Sequence, residues 1–186
     1  MYDIPNLNHN IMIRNQFKYD ANNVLLDELT YATGLTGDAV KRLATSVCKE
    51  ITFGLEAIAK GLIKTDIKTY FKDCVDKGYV RKEDGWLNES WGISNGVFEH
   101  SFGDKFNITA QAFASYNEFI GYANTQDNLV CTLRIKSMTG GYHSLICYKL
   151  NGSQLYISDT SSRGVAVLFD HFINASNLIY ITCMNG

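Results

Sequence analysis

The hydrophobic positions divide the chain into a helical first part and a strand-rich second part. Val24, Leu25, Leu29 and Ala32 recur at helical spacing behind Asp20, a capping residue, and Gly34 stands just past the expected end. From Asp38 a longer segment carries Val40, Leu43, Ala44, Val47, Cys48, Ile51, Leu55 and Ile58 at helical spacing. Gly54 weakens that helix and Gly61 stops it. A third helix is capped by Thr65 or Asp66. It carries the stripe Ile67, Tyr70, Phe71, Cys74 and Val75, with Gly78 after Lys77 as its C-terminal stop.

From Tyr79 to Asn107 the periodicity breaks up. Trp86, Trp91, Phe98, Phe102 and Phe106 sit among Gly, Asn and Ser, which predicts short turns and a packed loop with a face for a protein partner. Beyond it, Leu129, Cys131, Leu133 and Ile135 alternate with Val130, Thr132 and Arg134, the pattern of a half-buried strand. A second strand runs from Tyr142 to Leu150, Asn151-Gly152 is a hairpin turn, and Gln154 to Asp159 is the returning strand. Leu178 to Cys183 forms the last. Helices first and an antiparallel sheet second predict an α+β fold, with residues 1–186 as a single domain.

Composition narrows the function. The chain has 186 residues, 46% hydrophobic and 19% charged with a single proline, which is the composition of a folded domain. Lys+Arg 17 against Asp+Glu 19 leaves a formal net charge of −2, so no broad cationic surface for nucleic acid is expected. The first residues carry no cationic region followed by an apolar run, and no apolar run is long enough to span a bilayer. The expected setting is cytoplasmic or virion-associated, without a membrane partner. The five cysteines, Cys48, Cys74, Cys131, Cys147 and Cys183, show no local pairing at metal or redox spacing. They read as small buried hydrophobes in a reducing compartment. His9, His100 and His171 have no ligand-spaced partners, so no metal is expected, and no phosphate loop or dinucleotide fingerprint calls for another cofactor.

The pattern that bears chemistry is Gly140-Gly-Tyr-His143, the hairpin, then Ser158-Asp159. A histidine near the start of one strand and an acid at the end of the next come together across a hairpin. An acid that fixes a histidine's ring and tautomer is what a general base needs. The glycines before His143 leave room for a substrate chain. The geometry carries a condition. A strict two-residue loop places Asp159 opposite Ser144, on the wrong face for His143. A one-residue bulge or a three-residue loop places it opposite Leu145, on the right one.

This arrangement, following N-terminal helices, resembles the papain-like cysteine peptidases, and within them the bacteriocin-processing peptidase-like branch. The segment Ile67-Lys-Thr-Tyr-Phe-Lys-Asp-Cys-Val-Asp-Lys-Gly-Tyr-Val, followed by the aromatic, Asn-bearing loop, is similar to a family of short proteins from spirochaete plasmids and phages. The resemblance implies a nucleophilic cysteine at the head of the first helix, where the macrodipole favours a thiolate. The matching stretch is Gln16-Phe-Lys-Tyr-Asp-Ala21-Asn-Asn. Ala21 stands at the cysteine's place, with Asn22 next if the register is off by one; neither is a nucleophile. Gln16 matches the oxyanion-donating glutamine, one residue short of the usual spacing to Ala21 and in step with Asn22. The resemblance thus implies a papain-like fold with His143 as base, Asp159 as orienter and Gln16 as oxyanion donor. Two readings stay open: an inactive module that binds a peptide or protein, or an active cysteine peptidase whose cysteine has been exchanged for alanine. Oligomeric state is not legible.

Overall fold

In the computed structural model the described residues are 30–31, 33–40, 48–65, 67–78, 81–84, 103–136, 140–158 and 167–185. Their order is helices α1 (Cys48–Ala59) and α2 (Ile67–Asp76), strand β1 (Thr109–Phe113), helix α3 (Tyr116–Asn124) and strands β2 (Leu129–Lys136), β3 (Tyr142–Lys149), β4 (Tyr156–Ser158) and β5 (Val167–Leu168). The short helix α4 (Phe169–Phe172) and strand β6 (Leu178–Asn185) follow. The six strands form one sheet in the order β1-β6-β2-β3-β4-β5, every neighbouring pair antiparallel. The architecture is α+β, as the patterning predicts. Among the described residues no helix is long and apolar enough to cross a membrane.

The glycine stops act as expected where they can be followed. Gly34 has φ 73° and its N–H reaches Thr30 C=O at 2.8 Å; the rest of the predicted first helix, residues 20–29, lies outside the described residues. After α1, the Gly61 N–H reaches Ile58 C=O and the Leu62 N–H reaches Ala57 C=O, with Gly61 at φ 71°. Those two bonds and the left-handed glycine make a Schellman cap, which satisfies carbonyls the helix end would leave open. The predicted long helix from Asp38 is helical at 37–40 and again over α1, with 41–47 not described.

Gly54 has a different role from the one its helix propensity gives it. A Cβ there would lie 2.6 Å from Cε1 of Tyr70, so the missing side chain is what lets the fully buried Tyr70 ring of α2 lie against α1. Phe106, the one member of the aromatic segment among the described residues, lies against Tyr70 with ring centroids 5.4 Å apart and planes tilted by 33°. Trp86, Trp91, Phe98 and Phe102, with the partner face expected of them, fall outside the described residues.

One expectation is corrected. β2 is not half-buried: Leu129 through Leu133 and Ile135 are all buried. The physical reason is that helices cover both faces of the sheet, so the polar-out side of the alternation has nowhere wet to go. Val130, Ile146, Tyr148 and Met184 pack with Phe53, Ala57, Tyr70 and Cys74 of α1 and α2. On the other face Leu133, Leu145, Cys147, Ile157 and Ile181 pack with Phe119 and Ala123 of α3 and Phe169 of α4. The returning strand also starts later than expected, at Tyr156 rather than Gln154, and is described as far as Ser158.

Neither β1 nor α3 stands out in the hydrophobic pattern. α3 is announced instead by its cap. The Ser115 hydroxyl accepts the Glu118 N–H at 3.1 Å, while the Glu118 carboxylate accepts the Ala114 N–H at 2.8 Å. This is a variant of the reciprocal capping box, with the glutamate reaching one residue further back.

Candidate functional site: the histidine hairpin

The hairpin that carries His143 is irregular, and the irregularity can be counted. Asn151 and Gly152 both have positive φ, 51° and 69°, and the Ser153 N–H closes the turn on Leu150 C=O at 2.9 Å. The ladder that follows pairs Tyr148 with Tyr156, Cys147 with Ile157 and Ile146 with Ser158. From the turn to the ladder the outgoing strand advances by two residues and the returning strand by three. One extra residue therefore sits between Ser153 and Tyr156, a bulge of the kind that His143 and Asp159 need to share a face. The described ladder ends at Ser158; Asp159 lies outside the described residues.

His143 is the second residue of β3, half-buried, with Ile135 as its cross-strand partner. It shares a face with Leu145 and Cys147, the face packed by α3 and α4. Gly140, at φ 90°, and Gly141 precede it, and a Cβ built on either would meet no atom of the described residues within 4 Å. α1 and α2 pack on the opposite face of the sheet. Gln16, Ala21 and Asn22 lie outside the described residues.

No cysteine of the described strands is placed to serve His143. Cys131 and Cys183 are joined in a disulfide, and Cys74 is buried in the cluster on the far face. Cys147 is a free thiol, completely buried. Burial, with the charge of Glu56 beyond the sheet, pushes its pKa far above the ordinary thiol range, so it holds its proton. It is also four residues from His143 along one strand, about 13 Å at ordinary strand rise. The disulfide corrects the reading of all five cysteines as separate thiols. Its partners are 52 residues apart and are brought together by strand register, so local spacing carries no sign of them.

A second polar constellation escaped the sequence reading. Glu56 of α1 and Lys60, the residue just past the end of that helix, have side chains 0% and 2% exposed and pair at 2.8 Å. Glu56 Oε1 also accepts the Met184 N–H at 2.7 Å, and Oε2 accepts the Thr132 hydroxyl at 2.7 Å. Lys60 Nζ donates in turn to Met184 C=O at 2.8 Å. The β2–β6 ladder reaches only as far as Thr132 and Thr182 on this side, and the ion pair takes up the Met184 backbone groups beyond it. All of these bonds are internal, so the cluster holds the sheet rather than receiving a substrate. A glutamate within an apolar helical stripe, with a lysine four residues on, was its signal in the sequence.

A surface groove of about 430 Å³ lies at the far end of β3 between Tyr116, Ile120, Lys149, Leu155, Asp170 and His171. It does not include His143. Lys149 Nζ is held by Ala123 C=O at 3.1 Å, the last turn of α3. Among the described residues no group of three His, Cys, Asp or Glu side chains is arranged to hold a metal ion.

No protein-family model, curated protein or solved structure matches this chain.

Proposed function

We propose that this chain is a papain-like protein that binds a peptide or protein segment and does not cleave it, of the type found in phages and mobile elements. The binding feature is the loop Gly140-Gly141 and His143 behind it. Asp159 orients the histidine, Gln16 keeps the oxyanion-side donor, and Ala21 takes the place of the attacking thiol. The observation that carries the reading is the extra residue in the β3–β4 hairpin. A regular two-residue hairpin would have put the acid and the histidine on opposite faces, and the reading would have ended there. The buried or bonded state of the thiols on the face of His143 favours binding over catalysis.

The reading requires the segment carrying Ala21 to reach the His143 end of the sheet, and that is directly measurable. An Ala21→Cys/His143→Cys double variant should form an intramolecular disulfide, mapped by mass spectrometry, because such a bond needs Cα atoms within about 7 Å. A folded double variant that never forms it removes the papain-like reading. Ala21→Cys alone, treated with a peptidyl epoxide, should label no faster than a surface cysteine. Fast labelling that His143→Ala abolishes would overturn the inactive reading in favour of a peptidase whose cysteine has been exchanged.

A further inference from the structure

Three cysteines stand in a row across three adjacent strands. In the β2–β3 ladder Cys131 is directly opposite Cys147. On its other side Cys131 is bonded to Cys183 of β6, with Cα atoms 4.7 Å apart. All three side chains belong to one buried cluster, on the face covered by α3 and α4. The central cysteine therefore has two neighbours, one bonded and one a free thiol. Directly opposed residues of antiparallel strands lie about 4.5–5.5 Å apart at Cα, inside the range a disulfide spans. Both partners of Cys131 thus meet the backbone requirement. Cys147 and Cys183 are two strands apart, roughly 9–10 Å, and cannot bond to each other without moving the sheet.

We propose that this row is an internal thiol–disulfide exchange site, in which Cys131 passes its disulfide bond between Cys183 and Cys147. The step is balanced within the chain. The Cys147 sulfur, as thiolate, attacks Cys131 Sγ and forms the new S–S bond. The Cys131–Cys183 bond breaks, its electron pair leaves on Cys183 Sγ, and the proton lost by Cys147 ends on Cys183. No oxidant or reductant is consumed. One state ties β2 to β6, the other ties β2 to β3, the strand that carries His143. The burial that keeps Cys147 protonated makes the exchange slow in the closed sheet, on the scale of minutes to hours for uncatalysed rearrangement.

The test is disulfide mapping of the purified full-length chain, acid-quenched, alkylated and digested without reduction. After equilibration at pH 8.5 without added thiol, peptides joined through Cys131–Cys183 and through Cys131–Cys147 should both be present. Cys183→Ser should form Cys131–Cys147, Cys147→Ser should retain Cys131–Cys183, and Cys131→Ser should form neither. Near-UV circular dichroism checks that each variant is folded. If Cys183→Ser is folded and keeps two free thiols under oxidation that closes Cys131–Cys183 in Cys147→Ser, the proposal is wrong. If Cys183→Ser does not fold, the unsubstituted chain decides, and a single Cys131–Cys183 species after equilibration overturns the exchange.

Discussion

The Glu56 carboxylate takes the backbone N–H of Met184 at 2.7 Å, a hydrogen bond across 128 residues of sequence. It joins an early helix to the last strand at the point where that strand parts from β2. The residues next to its partners, Cys131 before Thr132 and Cys183 before Met184, are bonded to each other. The β2–β6 junction is therefore held from both faces, by an ion pair on one and a covalent bond on the other.

Breaking one half of that pair leaves the other charge buried. Lys60→Met should destabilise the protein by about 3–5 kcal/mol, the range for orphaning one member of a buried ion pair. Glu56→Leu/Lys60→Met should lose much less than the two single changes together, since it orphans no charge. Urea denaturation of the three variants measures both values, and a strictly additive double variant would falsify the coupling.

Gly54→Ala should run against helix propensity. On an open helix surface the change gains up to about 1 kcal/mol. Here the new Cβ would overlap the Tyr70 ring, so we expect a loss of about 1–3 kcal/mol from overpacking. Tyr70→Leu should be less harmful in the Gly54→Ala background than alone; equal harm in both would show that the ring contact is not what sets the cost.

Cys147 should make stability depend on alkaline pH. Its folded pKa is raised by burial, whereas the unfolded thiol titrates near about 8.5. Below that value both states keep the proton and the group contributes nothing to the slope. Above it only the unfolded state releases the proton, so stability falls by up to about 1.4 kcal/mol per pH unit. Chemical denaturation between pH 7 and pH 9.5 should show a shallower fall for Cys147→Ala than for the unsubstituted chain.

Removing the hairpin's extra residue should leave the ladder in place. Deletion of Gln154 makes a regular two-residue hairpin in which Tyr148–Tyr156, Cys147–Ile157 and Ile146–Ser158 keep their pairing, so Ile157 stays in the α3 face cluster. We expect a stability change of about 1 kcal/mol or less, below the roughly 2–5 kcal/mol of emptying a buried isoleucine site. Hydrogen exchange of the β3 and β4 amides checks this; lost protection there would show that the register depends on the bulge.

The strands were legible wherever alternation was strong, as in Leu129 to Ile135, because period-two patterning is a local property. What that pattern hides is burial on both sides, since Thr132 reads as solvent-facing until one knows that Glu56 waits above it. Gly54 was visible as a weakness, but its value lies in Tyr70, which only the packing of two helices supplies. The hairpin bulge could be stated in the sequence as a condition and was met by the ladder. The Cys131–Cys183 bond could not be read, because it depends on which strand lies beside β2, and that neighbour arrives fifty residues later.

That late arrival also shapes how the molecule can be made. β1 pairs with no described strand except β6, and β2 has β6 as its second neighbour. A growing chain can zip β2, β3 and β4 together by short hairpins, but it must hold β1 unpaired across some seventy residues of synthesis until Leu178–Asn185 slots between β1 and β2. Closing such separated contacts is slow, and in the interval two strand edges stand open to other chains. Both the disulfide and the Glu56 bond form only when β6 is inserted, so they report completion of the sheet rather than its start.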